Sequence, residues 1–121
     1  MSDPVAAGEF VSKMFAARTS AHILHLRTSS YAAHKALNEF YDGILGLTDG
    51  LAENLQGKYG ILEYPDMAPE TPADGVLLMR ELNDYIDATR EAVSESSDVQ
   101  NIIDEIADLI STTHYKLACL S

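Results

Sequence analysis

Apolar residues recur along the chain at helical spacing in four separate stretches. In the first, Phe10, Met14, Ala17, Ala21 and Leu24 fall on one face. Asp3 followed by Pro4 is a natural start, because a carboxylate can cap free N–H groups and proline fits the first helical position. A helix over about residues 4–27 is predicted, and Thr28-Ser29-Ser30 supplies a turn after it. A second stripe, Leu37, Tyr41, Ile44, Leu47, Leu51 and Leu55, predicts a helix ending near Gly57 or Gly60, residues suited to a left-handed cap.

Residues 58–71, with Pro65 and Pro69, carry no helical pattern. Thr71-Pro72 offers a cap and proline for a third helix, with Leu78, Leu82, Tyr85, Ile86, Thr89 and Val93 on one face and an end around Ser94–Ser97. Ser97 with Gln100 fits a capping box for a fourth, whose stripe is Val99, Ile103, Ile106, Ile110, Thr113, Leu117 and Leu120. No strand-like alternation occurs. The expected fold is an all-α four-helix bundle formed as one domain over residues 1–121.

The long connection between the second and third helices bears on topology. Some 14 extended residues reach roughly 45 Å, and a helix of about 22 residues spans about 33 Å, so this segment can travel the length of the bundle. A ferritin-like bundle needs one such crossover, whereas an up-down-up-down bundle needs only short turns. The long loop favours the ferritin-like arrangement.

Composition narrows the function classes. Eight basic residues against nineteen acidic ones give a net charge of −11, which repels a phosphate backbone, and the basic residues form no patch, so direct nucleic-acid binding is not expected. The opening MSDPVAAGEF is neither basic nor apolar enough for a signal peptide, and no stretch approaches the ~20 apolar residues of a membrane span. A cytoplasmic protein is expected. The single cysteine, Cys119, lies on an apolar helix near the C-terminus and is expected to be a small buried hydrophobe. The acids Asp84, Asp87, Asp104, Glu105 and Asp108 read as a solvated face, and His114 as a helix-terminal histidine.

Chemistry concentrates in HILHLRTSSYAAHKALNEFYDGILGLTDGLAENL, residues 22–55, which holds three of the four histidines. On a helical wheel His34, Asn38, Asp49 and Glu53 share an arc of about 100° on the second helix, away from its apolar stripe. Imidazole and carboxylate together suit iron, zinc or manganese, and Asp49 and Glu53 at i, i+4 can converge on one ion. The bland alternative is a solvated acidic face beside a hydrogen-bonded histidine. Gly43, Gly46 and Gly50 group near the same face, each costing up to about 1 kcal/mol in a helix relative to alanine, which suggests close approach of another subunit. His22 lies with Val11, Phe15 and Leu26 on a second apolar face of the first helix, and His25 flanks its core stripe. One face suits the core and the other an oligomer contact.

The order His22, His34, Asn38, Asp49, Glu53 resembles the ferroxidase motif of the Dps family of ferritin-like proteins. That resemblance implies a site shared between two subunits, one giving the histidines and the other Asp49 and Glu53, that binds and oxidises ferrous iron. Asn38 stands where that family carries Asp, and a neutral amide is a poorer ligand for a second ion. Spacing favours His22 as the first ligand, whereas local context favours His25. Over LHLRTSSYAAHKALNEFYDGILGLTDGLAENLQGKYG, about a third of the chain, the sequence also resembles a family of short, uncharacterised ferritin-like proteins of tailed bacteriophages. The implied partner is a second copy of the chain, in a host cytoplasm. A second hypothesis, from another class, is an acidic helical interaction protein that binds a host or viral protein and carries the metal motif as a relic. No Glu-x-x-His, no His-Glu-x-x-His, no cysteine pair and no glycine-rich phosphate loop occurs, so other metal and nucleotide chemistries find no support.

Overall fold

The computed structural model describes residues 3–121, which form four helices: α1 (Pro4–Arg27), α2 (Tyr31–Tyr59), α3 (Gly75–Val93) and α4 (Ser97–Cys119). α1 begins as its sequence suggests, with the Asp3 carboxylate accepting from the Val5 and Ala6 N–H groups at 3.0 and 3.3 Å. Ser30 caps α2 through the Ala33 N–H. α2 runs to Tyr59 and is stopped by Gly60, whose φ of 85° lies in the region that favours glycine.

Two expected boundaries are corrected. α3 does not start on Thr71-Pro72, which stays in the connection. Its cap is Asp74, whose carboxylate accepts from the Leu77 N–H at 2.9 Å. Gly75 then takes the first helical position in close packing: a Cβ would come within 2.8 Å of the Leu117 side chain and 3.2 Å of Leu37, and those side chains would have to shift. At α4 the capping box does not form. Ser96 is the cap residue without a side-chain bond, and Gln100 turns back to α3, where its amide donates to the carbonyls of Arg90 and Ser94 and accepts from Arg90 Nε.

Short turns join α1 to α2 and α3 to α4, so each of these pairs is antiparallel. The Asp3 N–H donates to the Ala92 carbonyl, which sets the start of α1 against the end of α3. Lys58 near the end of α2 pairs with Asp98 at the start of α4, and Lys116 near the end of α4 pairs with Glu39 early in α2. It follows that α2 and α3 run parallel and that residues 60–74 carry the chain back along the bundle. The Glu63 carbonyl lies against Gly8, where a Cβ would meet it at 2.0 Å, and Ser20 Oγ donates to the Glu70 carbonyl at 3.0 Å. The connection therefore descends alongside α1, giving the one-crossover topology found in ferritin-like bundles.

The interior is built from the stripes. Phe10, Met14, Leu37, Phe40, Ile44, Leu51, Leu55, Met79, Leu82, Ile86, Ile103 and Ile106 are fully buried. Each such side chain contributes roughly 1.5–3 kcal/mol by leaving water. Leu120 and Cys119 depart from expectation: both are exposed, because the buried stripe of α4 ends at Leu117 and the helix ends at Cys119. No helix among the described residues is long and apolar enough to cross a membrane.

Candidate metal centre

The α1–α2 turn brings three histidines together. His25, near the end of α1, is 7% exposed, and His34, in the first turn of α2, is half-buried. Their rings stack with centroids 3.6 Å apart and planes 17° from parallel. His25 Nδ1 lies 2.6 Å from the His34 carbonyl oxygen, and His34 Nδ1 lies 2.8 Å from the His25 carbonyl oxygen. A carbonyl only accepts, so both Nδ1 atoms must carry the proton. In a neutral ring so held, Nε2 is the nitrogen with the lone pair, the form in which a histidine binds metal while a carbonyl holds its other nitrogen.

His22 completes the group from the preceding turn of α1. Its ring stacks on Tyr41 at 4.2 Å and lies edge-on to His25 at 5.9 Å. Tyr41, read from sequence only as core, is the hub of the cluster: it also meets the edge of His25 at 5.3 Å and has the Arg18 guanidinium 5.3 Å from its ring centroid. The signal for it was in the sequence, since Tyr41 stands one and two helical turns beyond Asn38 and His34. Both ends of the Asn38 amide are engaged: its oxygen accepts from Tyr41 O–H and its nitrogen donates to Asp42, each at 2.9 Å.

Asp49 and Glu53 are elsewhere. Both are exposed on α2, and 15 residues of helix separate Asp49 from His34, about 22 Å at 1.5 Å per residue. One chain therefore cannot wrap these acids and the histidines around one ion, and no group of three or more His, Cys, Asp or Glu among the described residues is placed to hold a metal. Within the chain the donor set is nitrogen-rich and, with Arg18 adjacent, short of negative charge. The glycines near this face also separate into two kinds. Gly43 packs under Leu109 of α4, where a Cβ would come within 3.1 Å, whereas Gly46 and Gly50 have open space where a side chain would stand. The close neighbour expected at Gly43 is thus the chain's own fourth helix.

Ion pairs set the electrostatics of the outer α2–α4 seam. A hydrogen bond from Lys116, reinforced by its charge, holds the Glu39 carboxyl below its usual value, and Lys58 with Asn54 does the same for Asp98.

A parallel-crossover, all-α four-helix bundle with an imidazole cluster under its first turn defines the class of this molecule. The chain belongs to the family of unknown function DUF5856, which residues 25–117 match. It is similar to an uncharacterised 14.6 kDa protein encoded in the mobD-ri intergenic region of Enterobacteria phage T4, with 26% identity over 117 residues, 95% of this chain and 90% of that protein. No solved structure matches. The match to the family opens at His25 and spans His34, Tyr41, Asp49 and Glu53, while His22 lies before it.

Proposed function

We propose that this protein is a ferritin-type subunit related to the Dps proteins, in which His25 and His34, flanked by His22, give nitrogen ligands to a divalent metal ion, with iron, zinc and manganese as the candidates. Asp49 and Glu53 of a second copy give the oxygen ligands. The observation that carries this reading is the reciprocal pair of Nδ1–H bonds, which makes Nε2 the lone-pair nitrogen of each ring in its neutral form.

Two further observations support it. Residues 34 and 49–53 lie at similar distances on either side of Asp42 and Gly43, so a second α2 laid antiparallel about that midpoint sets the acids of one copy against the histidines of the other. Gly46 and Gly50 leave the backbone bare on the way. The acids also offset the positive charge that Arg18 brings to the cluster, and a divalent ion in turn offsets the repulsion between two chains of −11 each.

Equilibrium dialysis against zinc, and against ferrous iron without oxygen, tests the reading on wild-type protein and on Asp49→Asn/Glu53→Gln. Those two side chains are exposed, so the variant keeps the fold. Binding near one or two ions per subunit that disappears in the variant supports the reading. Equal binding by both proteins removes the acids from the site.

A further inference from the structure

The end of the bundle opposite the histidines carries an apolar groove of about 360 Å³, bounded by the first turns of α1, the end of α2 and the start of the crossover. Val5, Tyr59, Ile61 and Tyr64 are among its apolar residues, and its acids are Glu9 and Glu63. Val5 is 67% exposed and Ile61 86%.

Ile61 is not a loop residue swinging in solvent. Before it, Gly60 turns the chain off α2 with a φ of 85°. After it, the Leu62 N–H and the Tyr64 O–H both donate to Gln56 Oε1, at 3.2 and 2.6 Å, and Leu62 is buried. The Glu63 carbonyl then seats on Gly8. A branched aliphatic side chain is therefore held out in water on a backbone fixed at both ends. Such preordered apolar residues, beside aromatic rings, are what a binding partner meets without an ordering cost.

Charge selects the occupant. Among the described residues, Glu9 and Glu63 are the charged ones that line the groove, and no lysine, arginine or histidine does. A second copy of this chain brings −11 of the same sign, which opposes self-docking here. We propose that this groove docks a basic segment of another protein, which seats an aliphatic or aromatic side chain on Val5, Ile61 and Tyr64 and sets lysine or arginine against Glu9 and Glu63. The proposal does not depend on the metal reading, and the groove lies at the far end of α1 and α2 from His25 and His34.

Two-dimensional NMR of the ¹⁵N-labelled full chain tests it, with a 12-residue peptide of leucine and lysine as probe and two controls, one with glutamate for lysine and one with serine for leucine. The expected result is shifts centred on the amides of Val5, Ile61, Glu63 and Tyr64, seen with the Leu/Lys peptide alone. Ile61→Ser, at an exposed position, should weaken that binding at least fivefold, and Glu9→Gln/Glu63→Gln should flatten its salt dependence. Three outcomes overturn the proposal: shifts centred on Asp84, Asp104 and Asp108, equal binding by the serine peptide or by Ile61→Ser, or concentration-dependent shifts at the groove without peptide, which would make a second copy the occupant.

Discussion

His25 and His34 clasp one another across the first turn of the bundle, each ring donating its Nδ1 proton to the other's backbone carbonyl, at 2.6 and 2.8 Å. This clasp joins the last turn of α1 to the first turn of α2 and also settles the tautomer of both rings. ¹⁵N-edited NMR of the imidazoles should show the Nδ1-protonated tautomer in the neutral rings of His25 and His34. Finding the proton on Nε2 of either ring would remove the geometry on which metal binding is argued. Replacing His34 by alanine should lower stability by about 1–2 kcal/mol in urea unfolding, through one lost hydrogen bond and the lost stacking.

Asn38 links Tyr41 to Asp42, and its amide nitrogen is the group that faces the carboxylate. Asn38→Asp replaces that donor with a second negative charge one helical turn from Asp42. In the presence of a chelator the variant should lose about 1 kcal/mol, from like charges at i, i+4 and the missing hydrogen bond. Added zinc or manganese should restore the loss. Thermal unfolding with and without metal measures both, and an unaltered melting temperature in chelator would contradict the assigned amide orientation.

Glycines at two sites should respond with opposite signs. Gly8→Ala drives a Cβ into the Glu63 carbonyl, and overpacking of this kind costs roughly 1–3 kcal/mol even though alanine is the better helix former. Gly46→Ala meets open space and should stabilise the isolated subunit by up to about 1 kcal/mol. If a second α2 lies there, the same change should weaken self-association, which sedimentation velocity reads directly.

The Lys116–Glu39 pair gives a pH dependence of known sign. Glu39 titrates below its usual value when folded, chiefly through its hydrogen bond from Lys116, so the pair's stabilisation is present above the ordinary carboxylate range and is lost as pH falls through the lowered value. Lys116→Ala should be less stable than wild type at neutral pH, and the two should converge in acid. Both side chains are substantially exposed, so the difference should be small and should shrink with added salt.

Much of the fold was legible because burial follows the helical repeat. Phe10, Met14, Leu37, Ile44, Leu82, Ile103 and Ile106 all lie where their stripes put them, and prolines in a patternless stretch mark the crossover. Local capping was less legible, because it is decided by contacts between elements. Gln100 has better partners on α3 than at its own helix start, and Gly75 is selected by Leu117 and Leu37 from other helices. The candidate site was legible as a set of residue types but not as an arrangement. A wheel treats one helix at a time, so it groups His34 with Asp49 and Glu53, whereas the register of α1 against α2 stacks His34 on His25, which in turn meets His22 and Tyr41. The burial of Cys119 was misjudged because a stripe does not reveal where the core ends.

Native mass spectrometry of mixed variants tests the shared metal site most directly. His25→Gln/His34→Gln lacks the nitrogens, and Asp49→Asn/Glu53→Gln lacks the oxygens, so neither should retain zinc as a homo-oligomer. Mixed in equal amounts, the two should form hetero-oligomers that regain zinc at about half the wild-type occupancy, since each pair of chains rebuilds one of its two sites. Zinc retained by the Asp49→Asn/Glu53→Gln protein alone, or no zinc in the mixture while wild type binds it, would contradict a site shared between two copies of α2.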